Sequence, residues 1–198
     1  MRWAVESRDA YVKIAKAYEE SRARPLPVAD LGLGGVRALD IGSGRGAQPR
    51  YINSEHPYVV HCDLDPALLP EGGDAALCEA TALPFRPDAF DVAYAVAVYH
   101  HLPKDAAAAA VAEALRVARA LVATVWVPPR WRGRAKAPGV YEVPWRWRGE
   151  AVRTYYAYDM PDLLELARGA EVLAAGYMKR GRHHNAFIAA RRRGSAPV

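Results

Sequence analysis

A glycine-rich turn directly after a buried strand constrains the fold of this chain more than any other feature. Residues 36–41 form a mostly apolar run, and Gly42, Gly44 and Gly46 follow it at alternate positions. Glycine adopts backbone angles that are closed to other residues and has no Cβ, so the chain can pass close to a ligand there. Asp40 adds a fixed acceptor just before the turn. A strand, a tight loop and a helix in this order predict a ligand-binding α/β fold.

Two ligand classes suit such a loop. The spacing Gly42-x-Gly44-x-x-Ala47 satisfies the dinucleotide pattern, and Asp63 follows at a suitable distance for a ribose. The whole stretch from Asp40 to Gly46 instead resembles the D-x-G-x-G-x-G loop of Rossmann-like methyltransferases that use S-adenosylmethionine (SAM). In those enzymes the loop wraps the methionine moiety. The third glycine and the preceding acid favour SAM over a dinucleotide and over a turn that binds nothing.

Composition and length narrow the class of protein. A chain of 198 residues suits one domain, and 52% hydrophobic content with mixed charges is typical of a soluble globular protein. The first twenty residues are amphipathic and charged, unlike a secretory signal, and the longest apolar region, 106–127, carries three charged residues. We therefore expect a cytoplasmic protein without membrane contact. Cys62 and Cys78 form neither a disulfide framework nor a zinc quartet, so we expect free thiols and no metal.

Hydrophobic spacing predicts the order of helices and strands. Predicted helices cover residues 9–20, 47–54, 104–119 and 160–168, and predicted strands cover 36–41, 58–62, 75–78, 92–98, 120–127, 171–178 and 186–191. Ligands of doubly wound sheets bind beyond the carboxyl ends of the strands, which is where Asp63 and Glu79 lie. We therefore expect Asp63 to bind the ribose of SAM and Glu79 to lie near the adenine. The candidate cofactor-binding residues are Asp40, Gly42, Ser43, Gly44, Gly46, Asp63, Leu64, Glu79, Ala80 and Val96.

A basic and aromatic insert, residues 128–156, follows the fifth predicted strand. It holds seven basic residues against two acids, a net +5 that equals the charge of the whole chain. Arginines with interleaved aromatic residues suit phosphate contacts and stacking on splayed bases, although their stems could simply cover aromatic surface. Paired histidines at 100–101 lack the neighbours of a metal site, so a structural or ligand-lining role is favoured. The candidate substrate-binding residues are Arg24, His100, Arg130, Arg132, Trp145, Tyr155 and Tyr156.

Longer blocks carry a resemblance to known families. The blocks LDIGSGRG, HCDLDP, EATALPF, FDVAYAVAVYHHL and VATVWV resemble class I SAM-dependent methyltransferases in order and spacing. That resemblance implies a seven-stranded, mostly parallel sheet with one antiparallel strand and helices on both faces. More narrowly, YVKIAKAYEESRARPLP, YEVPW, TYYAY and GYMKRGRHHNAFI resemble the tRNA wobble-uridine carboxymethyl methyltransferases. The chain departs from that family at Thr154-Tyr155-Tyr156-Ala157, where the family has Arg-Tyr-Tyr-His, and at Asn185-Ala186, where it has Asn-Trp.

The narrower resemblance implies methyl esterification of a carboxymethyl-type wobble uridine in tRNA, with a small zinc-binding protein as activator. A carboxylate acceptor is already deprotonated, so no general base is needed and a cation must hold it; Arg22 and Arg153 are the candidates. We expect one domain over residues 1–198, with a helical arm at 1–30 and the insert at 128–156. The alternatives are a small-molecule methyltransferase and a non-catalytic protein that binds SAM or a nucleotide.

Overall fold

One mixed sheet forms the body of the protein. The computed structural model describes residues 1–31, 33–128, 133–180 and 183–194. The strands of this sheet are β1 (Arg37–Ile41), β2 (Tyr58–Asp63), β3 (Asp74–Leu77), β4 (Phe90–Val96), β5 (Ala118–Trp126), β9 (Glu171–Arg180) and β10 (His183–Arg191), while β6, β7 and β8 belong to a second sheet. Their order is β3-β2-β1-β4-β5-β10-β9. Strand β10 runs antiparallel to both of its neighbours and all other pairs of adjacent strands are parallel, so the predicted seven-stranded sheet is confirmed.

Helices cover both faces of this sheet, as predicted. Helices α4 (Lys104–Val117) and α5 (Met160–Leu166) bury their apolar residues on one face, and α3 (Ala47–Glu55) packs on the other. Successive residues of β4 alternate between the two faces, because Ala93 and Ala95 join the first core and Val92 and Tyr94 join the second. The chain leaves β1 in one direction and returns to β4 on its other side, and this change of direction opens a crevice at the carboxyl ends of the strands.

The N-terminal arm differs from its prediction. One helix was expected over residues 9–20, but the arm holds α1 (Arg2–Val12) and α2 (Ala15–Ser21). The break lies at Ile14, whose backbone angles are φ −120° and ψ 12° and whose side chain is buried. No proline or glycine marks the break in the sequence, so helical spacing alone did not predict it. None of the helices in the described ranges is long and apolar enough to cross a membrane.

The insert folds into a second, antiparallel sheet. Its strands are β6 (Arg134–Ala137), β7 (Val140–Trp145) and β8 (Ala151–Tyr156), in that order. Alternation along β8 buries Arg153 and Tyr155, while Val152 is exposed and Thr154 and Tyr156 are half-buried. The second sheet therefore presents one arginine and one tyrosine towards the body of the protein, and α1 packs against the same strand.

Cys62 and Cys78 are joined in a disulfide, so the expectation of free thiols is wrong. Residues of directly paired parallel strands suit a disulfide poorly, but these two cysteines are not direct partners, because Cys62 pairs with Ala76. The backbone N–H of Cys78 donates to the Asp63 carbonyl at 2.9 Å, which continues the ladder beyond β3 and leaves the two Cα atoms 5.7 Å apart. That separation lies in the usual disulfide range.

Candidate active site

A cavity of about 530 Å³ lies in the crevice at the carboxyl ends of β1, β2 and β4. It has two ends, which we name by the segments that form them. The loop end is formed by the glycine loop (40–46) and by the residues that follow β2, β3 and β4. The arm end is formed by α1, α2, the paired histidines at 100–101 and the second sheet.

Asp63 is the central acceptor of the loop end. Its carboxylate accepts the backbone N–H of Gly44 at 2.9 Å and that of Leu64 at 2.7 Å. Burial raises the pKa of Asp63 to about 6, against the lowering effect of those two hydrogen bonds. A carboxylate has about four acceptor positions, so two remain for hydroxyl groups of a ligand. The hydroxyl of Ser43, in the same loop, is buried and has no hydrogen-bond partner among the residues that the structure describes.

Glycine is required at the three loop positions for different structural reasons. Gly42 and Gly44 have φ values of +61° and +56°, in the left-handed region. A Cβ on Gly42 would lie 2.7 Å from the Cγ2 atom of Val98, whereas a Cβ on Gly44 would meet nothing within 4 Å. Gly46 does not line the cavity, in contrast to its predicted role. A Cβ there would lie 3.3 Å from the carbonyl oxygens of Glu19 and Arg22, so this glycine lets α2 pack on the loop.

The turn after β4 completes the loop end. Ala97 has φ +62°, which is uncommon for a residue with a Cβ, and its N–H donates to the backbone carbonyl and hydroxyl of Thr124 at 3.0 Å each. This turn ends the strand at Val96, two residues earlier than predicted, and places Val98 against Gly42. Sequence reasoning missed it, because an alanine in an apolar run gives no signal of a turn.

Asp40 belongs to a buried chain of hydrogen-bonded polar side chains. The Nδ1 atom of His61 lies 3.0 Å from the Asp40 carboxylate, and its Nε2 atom lies 3.1 Å from the side-chain oxygen of Asn53. Burial raises the pKa of Asp40, and the hydrogen bond from His61 opposes that rise. Neither His61 nor Asn53 was named from the sequence. A histidine inside an otherwise apolar strand was the available signal.

Arg153 is the central group of the arm end. Its Nη1 atom donates to the Tyr155 hydroxyl at 2.9 Å, and its guanidinium carbon lies 5.1 Å from the ring centre of Trp145 and 5.2 Å from that of Tyr155. Its Nε atom is buried and has no hydrogen-bond partner within the described ranges. Arg22 lies 4.7 Å from the ring centre of Tyr18. Neither arginine forms an ion pair with a carboxylate in the part of the chain that the structure describes.

Of the two adjacent histidines, His100 is buried and His101 is half-buried, and both are neutral. His100 stacks on Tyr155 with the ring centres 5.0 Å apart, and its Nδ1 atom accepts the backbone N–H of Trp126 at 3.1 Å. The Nε2 atom of His101 lies 3.0 Å from the Tyr11 hydroxyl. Burial lowers the pKa of both imidazoles, to about 3 for His101. Within the described ranges, no group of three or more His, Cys, Asp or Glu side chains could hold a metal ion.

Most of the residues proposed from the sequence meet in this one cavity. Those that line it are Asp40, Gly42, Ser43, Gly44, Asp63, Leu64, Glu79, Ala80 and Val96 at the loop end, and Arg22, Arg24, His100, Trp145, Arg153 and Tyr155 at the arm end. Tyr156 does not line it, because alternation along β8 directs this side chain away from Tyr155. Arg130 and Arg132 lie outside the described residues. The histidine pair at 100–101, for which a structural or ligand-lining role was favoured, lines the cavity. The sequence did not identify Tyr11, Tyr18 or Trp126, whose aromatic rings look like ordinary core residues.

Comparisons with known proteins agree with this geometry. Residues 39–121 match the family described as a methyltransferase domain. No curated protein matches the sequence. Among solved structures, a SAM-dependent methyltransferase from Methanosarcina mazei is 17% identical, with a TM-score of 0.69 over 84% of this chain and 97% of that one. The magnesium protoporphyrin IX methyltransferase of Synechocystis, solved with bound SAM, is 15% identical, with a TM-score of 0.57 over 95% and 82%.

A third structure shares the fold and has a small-molecule substrate. The 1,6-didemethyltoxoflavin-N1-methyltransferase of Burkholderia thailandensis, solved with its substrate and S-adenosylhomocysteine, is 22% identical, with a TM-score of 0.61 over 95% and 80%. The loop end of the present cavity fits SAM on its own evidence. It offers the ionisable acceptor Asp63, the unpartnered hydroxyl of Ser43 and the open backbone of Gly44. Residues 39–121 thus match a methyltransferase domain, and the seven-stranded sheet has the fold of class I SAM-dependent methyltransferases.

Proposed function

We propose that the protein is a SAM-dependent methyltransferase that methylates a carboxylate, and specifically the carboxymethyl group of a modified wobble uridine in tRNA. The observation that carries the proposal is the presence of Arg22 and Arg153 at the arm end without a carboxylate partner among the described residues. A buried cation without a counter-ion is costly, and an anionic acceptor would supply that counter-ion. The planar guanidinium of arginine also matches the two oxygens of a carboxylate.

In such a methyl transfer, the main task of the protein is to position the acceptor. When bound, SAM supplies an electrophilic methyl group on a sulfonium centre. A carboxylate attacks without losing a proton, so the neutral histidines of the arm end are no obstacle to the reaction. The arginines have to hold the acceptor oxygen in line with the methyl group, and such alignment accounts for a large part of the rate enhancement in reactions of this kind.

The surface of the second sheet supports a tRNA substrate through two exposed cations. Arg134 and Arg146 are exposed and have no ion-pair partner in the described ranges. Two other basic residues of the insert already have partners, because Lys136 lies 3.3 Å from a Glu142 oxygen and Arg148 lies 2.5 Å from a Glu20 oxygen. Phosphate contacts would therefore fall to Arg134, Arg146 and the two predicted arginines outside the described residues.

The direct test is mass spectrometry of nucleosides after incubation of the protein with SAM and tRNA. The expected product is the methyl ester of 5-carboxymethyluridine, and the matched control is the same tRNA without the carboxymethyl group, which should stay unmodified. Binding of tRNA should weaken with salt by about 0.7–0.9 log units per log unit of salt for each phosphate contact. No ester, together with tRNA binding no stronger than that of a generic basic protein, would rule out the tRNA substrate.

A charge-matched pair of variants separates specific contacts from general attraction. The double variant Arg134→Ala/Arg146→Ala should raise the KM for tRNA and reduce the salt slope by about 2, while SAM affinity stays the same. The control is Arg86→Ala/Arg168→Ala, which removes two exposed positive charges elsewhere. Equal effects of the two double variants would mean that the second sheet is not a specific tRNA contact.

A small carboxylate is the second candidate acceptor, and the covered arm end favours it. The ion pair between Arg148 and Glu20 and the contact between Trp145 and Tyr18, with ring centres 5.9 Å apart, join the second sheet to α2. A cavity covered in this way suits a molecule smaller than a polynucleotide. Methylation of free 5-carboxymethyluridine at the same kcat/KM as the modified tRNA would favour this candidate.

The small zinc-binding activator implied by the family resemblance stays a proposal. Three apolar side chains near β2 and β3 are exposed by half or more, namely Val36, Tyr58 and Leu77. If an activator covers them, adding it should raise the activity and the solubility of the purified chain. Full tRNA methylation by the chain alone, unchanged by the added protein, would contradict this.

A further inference from the structure

Five residues at the arm end form one continuous chain of hydrogen bonds. The Nδ1 atom of His101 lies 3.3 Å from the carbonyl oxygen of Thr154, and its Nε2 atom lies 3.0 Å from the Tyr11 hydroxyl. The Tyr11 hydroxyl lies 3.3 Å from the Tyr155 hydroxyl, which in turn accepts from Nη1 of Arg153 at 2.9 Å. The chain links α1, the turn after β4 and β8, which are far apart in the sequence.

Every proton in this chain can be placed. A carbonyl oxygen only accepts, so Nδ1 of His101 carries the proton of the neutral imidazole and Nε2 accepts. The Tyr11 hydroxyl must therefore donate to His101. Its single proton is then engaged, so the Tyr155 hydroxyl donates to Tyr11 and accepts from Arg153. The hydrogen bonds thus run in one direction, from Arg153 to the Thr154 carbonyl.

The direction of these hydrogen bonds determines which N–H groups of Arg153 remain available to a ligand. One edge of its guanidinium is anchored through Nη1, and the rings of Trp145 and Tyr155 flank the group. The N–H group on Nε has no hydrogen-bond partner among the described residues, although Arg153 is only 7% exposed. A buried donor that is held on one side and unpartnered on the other is suited to bind an anion in the cavity.

We propose that Tyr11 is a positioning residue, which holds Arg153 through Tyr155 so that its unpartnered Nε–H group faces the acceptor carboxylate. This inference rests on the proposed carboxylate acceptor. Because Tyr11 belongs to α1, the arm is part of the active site and not only a cover over it. The hydroxyl protons of both tyrosines are engaged in this chain of hydrogen bonds. The acids that line the cavity in the described ranges, Asp40, Asp63 and Glu79, all lie at the loop end, so none of them can act as a base at the arm end. The site therefore selects acceptors that arrive as anions.

A double-mutant cycle tests the coupling between Tyr11 and Arg153. Tyr11→Phe removes only the hydroxyl and should lower kcat about tenfold, with the dissociation constants of SAM and tRNA unchanged. In an Arg153→Lys background the same change should have no further effect, because the group that Tyr11 positions is gone. Additive losses, or a loss of SAM binding, would show that Tyr11 is merely structural. The control is Tyr51→Phe. The hydroxyl of Tyr51 donates to Asp30, and Tyr51 lies on the face of the sheet that α3 covers, away from the cavity.

A second measurement needs no acceptor, so it decides the question even if the tRNA proposal fails. Nitrogen NMR of the free protein should show His101 with its proton on Nδ1, and Tyr11→Phe should speed the exchange of the Arg153 Nε–H proton with water. His101→Gln, which breaks the chain one step further from Arg153, should change that exchange in the same direction by a smaller factor. A proton on Nε2 of His101, or an Arg153 exchange rate that neither variant changes, would overturn the proposal.

Discussion

The two ends of the cavity are built in different ways. The loop end comes from short segments at the ends of neighbouring parallel strands, around 40–46, 63–64 and 79–80. The arm end comes from side chains of α1, α2 and the second sheet, which contribute from opposite parts of the sequence. A site formed by short segments at strand ends can therefore be predicted from the local sequence. A site formed by side chains of distant elements depends on how those elements pack together.

The two ends also differ in charge. The loop end carries the acids Asp40, Asp63 and Glu79, and its one arginine, Arg45, is already paired with Glu19 and Glu71. The arm end carries arginines without a carboxylate partner among the described residues, including Arg22 and Arg153. Acids suit the hydroxyls and the positive charges of SAM, and arginines suit an anionic acceptor. If this division is correct, substitutions at one end should change the binding of one reactant and leave the other unaffected.

The largest expected effect is at the arm end. Arg153→Ala should lower kcat about 100- to 1,000-fold, because it removes preorganised donors from a buried site, while the SAM dissociation constant stays the same. Single-turnover methylation and calorimetry with SAM measure the two quantities. Arg168→Ala, an exposed arginine paired with Glu165, is the matched control and should be neutral. Weaker SAM binding in Arg153→Ala would break the division between the two ends.

The disulfide should affect stability and the loop end only. Cys62 and Cys78 immediately precede Asp63 and Glu79, so the bond ties together the two strands that carry these acids. Its 16-residue separation corresponds to about 3 kcal/mol of the free energy of unfolding. Denaturant unfolding with and without a reductant measures this, and a Cys62→Ala/Cys78→Ala variant should not respond to the reductant. Two titratable thiols in the unreduced, unfolded protein would contradict the bond.

Asp63 should control SAM affinity and its pH dependence. Asp63→Ala should weaken SAM binding by about 1–3 kcal/mol, the range for the loss of a charged hydrogen-bond partner. Burial raises the pKa of Asp63 to about 6 in the free protein, and ribose hydroxyls would donate to the ionised form. SAM affinity should therefore fall as the pH falls through about 6, and Asp63→Asn should remove that dependence. Calorimetry showing unchanged affinity in Asp63→Ala would refute the assignment.

The smallest expected effect compares two glycines of the same loop. Alanine in the left-handed region costs about 1–2 kcal/mol, so both Gly42→Ala and Gly44→Ala should lower the melting temperature. Gly42→Ala should lower it further, because its Cβ would lie 2.7 Å from Val98. Gly44→Ala, with no protein atom within 4 Å, should instead act mainly on SAM binding. Thermal unfolding that ranks the two variants in the opposite order would show that Val98 moves aside without cost.

The sequence by itself determined the main sheet and the loop end of the cavity. Apolar runs with short periodicity predicted the seven strands of the main sheet, and the acids after β2 and β3 lie at the cavity because strand ends of a doubly wound sheet converge. These features depend on local backbone preference and on general rules of topology. Arg22 and Arg153 were also named, and the structure places both at the arm end.

Only the tertiary structure decided how the arm end is assembled. The break at Ile14, the second sheet, the pairing of Cys62 with Cys78 and the contact of Gly46 with α2 each arise from packing between distant segments. Tyr11 looked like an ordinary apolar position of a helix, and its role depends on hydroxyl, imidazole and guanidinium groups meeting within hydrogen-bond distance. Helical periodicity reports which face of a helix is buried, but it carries no information about the partner that this face meets.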